Sequence, residues 1–189
     1  MAKLEMHDIA DLRAYERERE QFRTHVIALK KRRRVHVGPV VTFLFENRDT
    51  IRFQIQEMAR VEKLISDEAI QTELDVYNPL VPEPGQVSAT LFIELTSDEQ
   101  LREWLPKLVG IEAAAVLRLG YGDDAIEVRC TVDPEHALQL TRETITASVH
   151  YVGWDLAPEQ VEAFAAGPVT LLVDHPEYQH ETQLSDATA

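Results

Sequence analysis

Pro79-Leu80-Val81-Pro82-Glu83-Pro84-Gly85 is the stretch on which the fold turns. Three prolines in six residues remove backbone donors, fix φ and push each preceding residue out of the helical region, so this is an extended connector. The chain changes character across it. Upstream, apolar residues recur at helical spacing. Downstream, Val87, Ala89, Leu91, Ile93 and Leu95 alternate, which is the period of a half-buried strand. The connector, residues 79–85, therefore divides a helical half, residues 1–78, from a sheet-rich half, residues 86–178.

In the helical half, Asp8 is expected to cap a helix running to about Arg33, with Leu12, Tyr15, Phe22, Val26 and Leu29 on one stripe. Val35-His36-Val37 precedes a Gly38-Pro39 turn, and Val40 to Glu46 reads as a strand. Asn47 or Asp49 caps a second helix to about Ile65, and Ser66 or Asp67 restarts it as far as Tyr77.

Beyond the connector, Thr96 with Glu99 and Ser97 with Gln100 form overlapping capping boxes for a helix to Lys107. Ala115–Leu119 and Ile126–Val132 read as a hairpin. Ile126, Val128, Cys130 and Val132 share one face, which makes Cys130 a buried, inert thiol. Asp133 opens a predicted helix to about Arg142. Thr146–Asp155 is a strand, Pro158 and Gly167 bracket a helix, and Val169–Asp174 is the last strand. Residues 179–189 are polar and read as a flexible tail. The sum is one α+β domain over residues 1–178: long N-terminal helices packed with a mostly antiparallel sheet carrying short helices.

Charge narrows the function classes. The chain of 189 residues carries 19 Lys/Arg and 33 Asp/Glu, net −14. Residues 1–34 hold ten basic and six acidic side chains; residues 64–189 hold five and 23. An acidic surface disfavours phosphate backbones, whose affinity comes from displaced counterions. Lys30 to Arg34 is the one basic run, and it falls at a helix end, where cations offset the helix dipole. Nucleic acid is not an expected partner. A single cysteine excludes an internal disulfide. No apolar run is long enough to cross a membrane, and the charged N-terminus does not read as a signal peptide, so a cytoplasmic protein is expected. The phosphate-binding loop, the dinucleotide glycine motif and the serine nucleophile elbow are all missing.

Glu62 is the anomaly of the second helix. At 100° per residue it falls on the apolar stripe of Ile51, Ile55 and Ala59, and a carboxylate there must be paired, protonated or metal-bound. Arg19 interrupts the first helix's stripe in the same way, so a structural Arg19–Glu62 ion pair is the favoured reading. The competing reading is a metal site. His36, His150 and His175 lie in or at the ends of strands, Glu94 and Asp174 share that setting, and imidazole with carboxylate suits iron, zinc or manganese. The candidate ligands are His36, Glu62, Glu94, His150, Asp174 and His175. The polar run from Gln54 to Glu62 on the second helix lacks the Glu-x-x-His pair of di-iron bundles.

Arg33-Arg34-Val35-His36-Val37-Gly38-Pro39, the run from Phe45 to Met58, Glu73 to Pro82, Thr90 to Glu94, Ser148-Val149-His150 and Asp174-His175-Pro176 together resemble an uncharacterised bacterial family known only as a domain of unknown function. The resemblance spans most of the chain and is densest over residues 30–94. It implies a setting beside rubrerythrin-like and heterodisulfide-reductase-type iron–sulfur proteins, that is, peroxide defence or electron transfer. Ala113-Ala114-Ala115 departs from the more acidic segment expected of the family.

Two readings follow. The first is an accessory, partner-binding protein of an iron or peroxide-stress pathway that docks a rubrerythrin-like or iron–sulfur protein and holds a metal. The second is a metal-dependent enzyme whose site gathers from distant segments. The apolar stripes also allow a homodimer.

Overall fold

The connector leads where its composition predicts. Asn78–Leu80 form a single 3-10 turn, and strand β3 (Gln86–Ile93) begins directly after Gly85. A computed structural model describes residues 3–132, 141–142, 145–185 and 188. The chain divides into two units, Met1–Arg32 with Glu46–Pro84, and Arg33–Phe45 with Gly85–Ala189. The residues of the first hairpin, though upstream of the connector, belong with the later strands.

The first unit is helical: α1 (Leu12–Arg33), α2 (Arg48–Glu62) and α3 (Asp67–Tyr77). Asp11, not Asp8, caps α1: its Oδ1 accepts from the Ala14 amide at 2.9 Å. Asp8 instead ends a 3-10 turn (Met6–Asp8), accepts from the Glu5 amide at 2.8 Å and pairs with Arg48. Asn47 and Thr50 cap α2 reciprocally, and Ser66 caps α3. Helix α2 stops at Glu62 because Lys63 adopts the left-handed conformation, φ 56°, with its amide on the Ala59 carbonyl.

Helices α1 and α2 meet through polar as well as apolar groups. Arg19 holds Glu57 with two hydrogen bonds, Arg52 reaches Glu18, and Arg60 reaches Glu16. Gln56, fully buried, exchanges both amide bonds with the Ala10 backbone. Arg52 lies over the Phe22 ring, and Phe22 meets Phe53 edge-on.

The second unit holds two four-stranded antiparallel sheets. One has the order β1 (Arg34–Val37), β2 (Val41–Phe45), β3, β8 (Val149–Asp155). The other has the order β10 (Tyr178–Gln183), β9 (Val169–His175), β4 (Ala115–Leu119), β5 (Ile126–Arg129). Alternation sends Phe43, Leu91 and Trp154 from one sheet, and Leu117, Leu171 and Tyr178 from the other, into a common core. The sheets are also joined at their edges. Thr131 and Gly153 exchange backbone bonds at one side, and Thr182 Oγ1 donates to the His36 carbonyl at 2.7 Å on the other. Helices α4 (Asp98–Lys107) and α5 (Pro158–Ala166) add Trp104, Leu105, Ala163 and Phe164 to the core margin. The fold is thus α+β with antiparallel sheets, as the periodicity predicts.

Three local expectations change. Tyr178–Gln183 is strand β10, paired in register with β9, where residues from 179 were expected to be a loose tail. Its outward residues are polar because it is an exposed edge strand, so no apolar alternation marks it. Ile126 is exposed, while Val128 and Cys130 of the same strand line do pack against the core. The helix expected from Asp133 lies outside the described residues, except that Thr141–Arg142 form strand β6, paired with β7 (Ile145–Thr146).

Candidate functional site

Strand alternation places Arg34, His36, Thr42 and Glu94 on the face of the first sheet opposite the core. His36 stands directly across from Thr42 in the β1–β2 register. Thr42, which is 1% exposed, donates its hydroxyl proton to Glu94 Oε2 at 3.0 Å. Glu94 Oε1 accepts from Arg34 Nη1 at 2.8 Å, and Arg34 lies over the Phe92 ring.

This network sets the histidine tautomer. A hydroxyl has one proton, and a carboxylate held by an arginine accepts only. With the Thr42 proton given to Glu94, the His36 Nδ1 contact at 2.9 Å must run the other way, Nδ1–H to Thr42 Oγ1. The neutral imidazole then keeps its lone pair on Nε2, on an exposed side chain. Such a nitrogen can accept a proton or a hydrogen bond, or give one bond to a metal. One nitrogen supplies only part of the ligand set that an iron, zinc or manganese centre takes from its protein.

The other sequence candidates go elsewhere. His150 is 1% exposed, and its Nε2 meets the Ala147 carbonyl at 2.9 Å and Thr146 Oγ1 at 2.8 Å. Burial holds its pKa below the ordinary histidine value, against the pull of the nearby Glu112 carboxylate. His175 is buried and both its nitrogens are engaged: Nδ1 accepts from the Glu177 amide at 3.2 Å, and Nε2 donates to the Val109 carbonyl at 3.0 Å. Asp174, its neighbour on β9, points to the opposite face and pairs with Arg129 at 2.9 Å. Among the described residues, no three His, Cys, Asp or Glu side chains come together to hold a metal ion. Of the six candidates, only His36 and Glu94 share a network.

Glu62 is exposed and Arg19 pairs with Glu57 instead, at 2.8 Å and 2.9 Å. The apolar stripe of α2 points at Glu62 but runs off the helix end there, so its last position is uncovered. Glu57 lies outside that stripe and on the side of α2 that meets α1. Its carboxylate also accepts from the Tyr15 hydroxyl at 2.7 Å. Arg19 holds the Glu57 pKa below the usual carboxylate range, although partial burial works against it; burial, then Glu57, raises that of Tyr15. The readable signal for this partner was the run of charges from Arg52 to Arg60 facing Glu16, Glu18 and Arg19. Helical period alone ranks apolar positions and is silent on which polar ones meet.

A shallow depression of about 630 Å³ lies on the outer face of the second sheet. It is crossed by a charge ladder in which Arg118 bridges Glu127 and Glu181 at 3.0 and 2.9 Å. Cys130 donates to the Glu112 carbonyl, and burial pushes its thiol up to about 11.

No functionally curated protein matches the chain. It is similar, at 37% sequence identity and a TM-score of 0.88, to a novel protein of unknown function from Burkholderia pseudomallei known from a crystal structure; the match covers 99% of this chain and 95% of that one. The family match runs over residues 3–189. No helix among the described residues is long and apolar enough to cross a membrane. The chain belongs to the family described as protein of unknown function DUF3501.

Proposed function

We propose that this is an accessory protein that docks an acidic redox partner through the outer face of α1. The supporting observation is how charge is sorted on that helix. Two of its three carboxylates, Glu16 and Glu18, are taken up by Arg60 and Arg52 of α2, and His25 by Asp49, so that Glu20 is the one acidic side chain left among the exposed cations of the helix. Arg17, Arg23 and Lys31 remain exposed and make no ion pair among the described residues. A cationic stripe is thereby left on a chain of net charge −14. Such polarity orients an encounter and speeds association more than it adds affinity, which suits a brief electron-transfer contact. The resemblance of the sequence points to a rubrerythrin-like or iron–sulfur protein as the partner, in peroxide defence or electron transfer.

The test is a pull-down of a purified iron–sulfur protein and of a rubrerythrin, at low and at high salt. The reading expects retention that falls with salt and is lost in the triple variant Arg17→Glu, Arg23→Glu, Lys31→Glu. Retention no greater than on an unrelated acidic protein, or binding that the triple variant keeps in full, would overturn it.

A further inference from the structure

The turn that follows α2 carries the most exposed large apolar side chain of the described residues. Ile65 is 86% exposed and Val61 is 70% exposed. Single exposed apolar residues are ordinary on a protein surface, but here there is a receptacle as well. A hollow of about 370 Å³ is lined by Met6, Ile9, Leu12, Leu64 and Ile70 together with Ile65 itself. Three charged residues of both signs also line it, Asp11, Arg13 and Asp67.

The backbone holds Ile65 out. Lys63 occupies the left-handed region, φ 56°, a conformation that glycine adopts more readily, and the Leu64 amide is tied to the Ala59 carbonyl at 2.9 Å. A strained, non-glycine turn thus ends the helix one residue before the hollow's Leu64 and two before the exposed isoleucine. Strain of this kind is often kept where a surface has a use.

We propose that this patch is the interface of a two-fold homodimer, in which Ile65 of each copy fills the hollow of the other. A two-fold contact requires a self-complementary patch, because residue i of one copy meets residue j of the other and the reverse. A projecting apolar side chain and an apolar hollow within one patch meet that condition. The charges meet it too: Arg13 of one copy faces Asp11 or Asp67 of the second, and the reciprocal pair forms across the axis. A partner of uniform charge would leave one of the two signs opposed by its like. This proposal stands apart from the docking of a redox partner on α1, and either can fail without the other.

Sedimentation velocity of the full chain tests it, over a dilution series. The proposal expects a species of twice the 21.5 kDa chain mass that dissociates on dilution. Ile65→Asp should weaken the dimer roughly 30-fold, the effect of losing a central anchor. Val61→Asp should weaken it less, since Val61 does not line the hollow. Arg13→Asp should weaken it too, and Arg13→Asp with Asp67→Arg should restore it. Circular dichroism of each variant confirms that the exposed substitutions leave the fold intact. A wild-type chain that stays monomeric throughout overturns the proposal, and so does an Ile65→Asp chain that dimerises as the wild type does.

Discussion

Arg19 and Glu57 form a two-bond fork across α1 and α2, Nε to Oε1 at 2.8 Å and Nη2 to Oε2 at 2.9 Å. The Tyr15 hydroxyl makes a third bond to the same carboxylate, at 2.7 Å. The planar guanidinium matches the carboxylate in a way a lysine cannot. Tyr15 is fully buried, so its hydroxyl has no water to turn to.

Tyr15→Phe should destabilise the fold by about 1.5–3 kcal/mol, the usual worth of a hydrogen bond to a charged group. Urea denaturation checks this, with the midpoint moving and the slope unchanged. Arg19→Lys should also lower the midpoint, because a single ammonium nitrogen cannot reproduce the parallel fork to both oxygens.

The same carboxylate sets an acid limb. The Glu57 pKa is lower folded than unfolded, Arg19 being the first cause. The unfolded chain therefore takes up the proton first as pH falls. The stabilisation is present above the unfolded value, about 4.3, and is lost as pH falls through the folded one. Glu57→Gln should be less stable at neutral pH and should lose part of the pH dependence of the midpoint below about 5. An unchanged acid limb would mean the pair contributes nothing.

His150 acts in a different window. Burial holds its folded pKa below the unfolded value of about 6.5, so folding favours the neutral ring. Stability is full above that value and declines as pH drops, because the unfolded chain binds the proton first. Thermal denaturation between pH 7 and 5 should show the decline, and His150→Gln should flatten it.

Tyr178 clamps the turn between β1 and β2. Its hydroxyl donates to the Val37 carbonyl at 2.7 Å and accepts from the Val40 and Val41 amides at 3.1 and 3.2 Å. Tyr178→Phe orphans these groups, at about 1–3 kcal/mol for each one left buried. Gly38, in that turn, has φ +73°, and a Cβ there would lie 2.5 Å from the His180 ring and from the Tyr178 hydroxyl. Gly38→Ala should therefore lower the melting temperature both through backbone strain and through displacement of the clamp. The two substitutions share partners, so the double variant should fall short of additivity.

Cys130 should behave as a buried group. With the thiol raised to about 11, iodoacetamide at neutral pH should label the native chain far more slowly than the unfolded one. Equal rates would place the thiol in the open.

The sequence by itself determined most of the elements and their order. Prolines forced the connector, Asn47, Ser66 and Ser97 marked helix starts, alternation along Val87–Ile93 marked the inward face of β3, and Gly167 stopped α5. These are local effects, decided by φ, by capping oxygens and by period. The tertiary structure alone decided which polar groups meet. It gave Arg19 to Glu57 rather than Glu62, because the stripe of α2 outlasts the helix. It left His36 with an open Nε2 while His150 and His175 were consumed by backbone carbonyls and a neighbouring hydroxyl. It also paired Tyr178–Gln183 as an edge strand without apolar alternation. Such choices depend on how distant segments register against each other, and no local period carries that information.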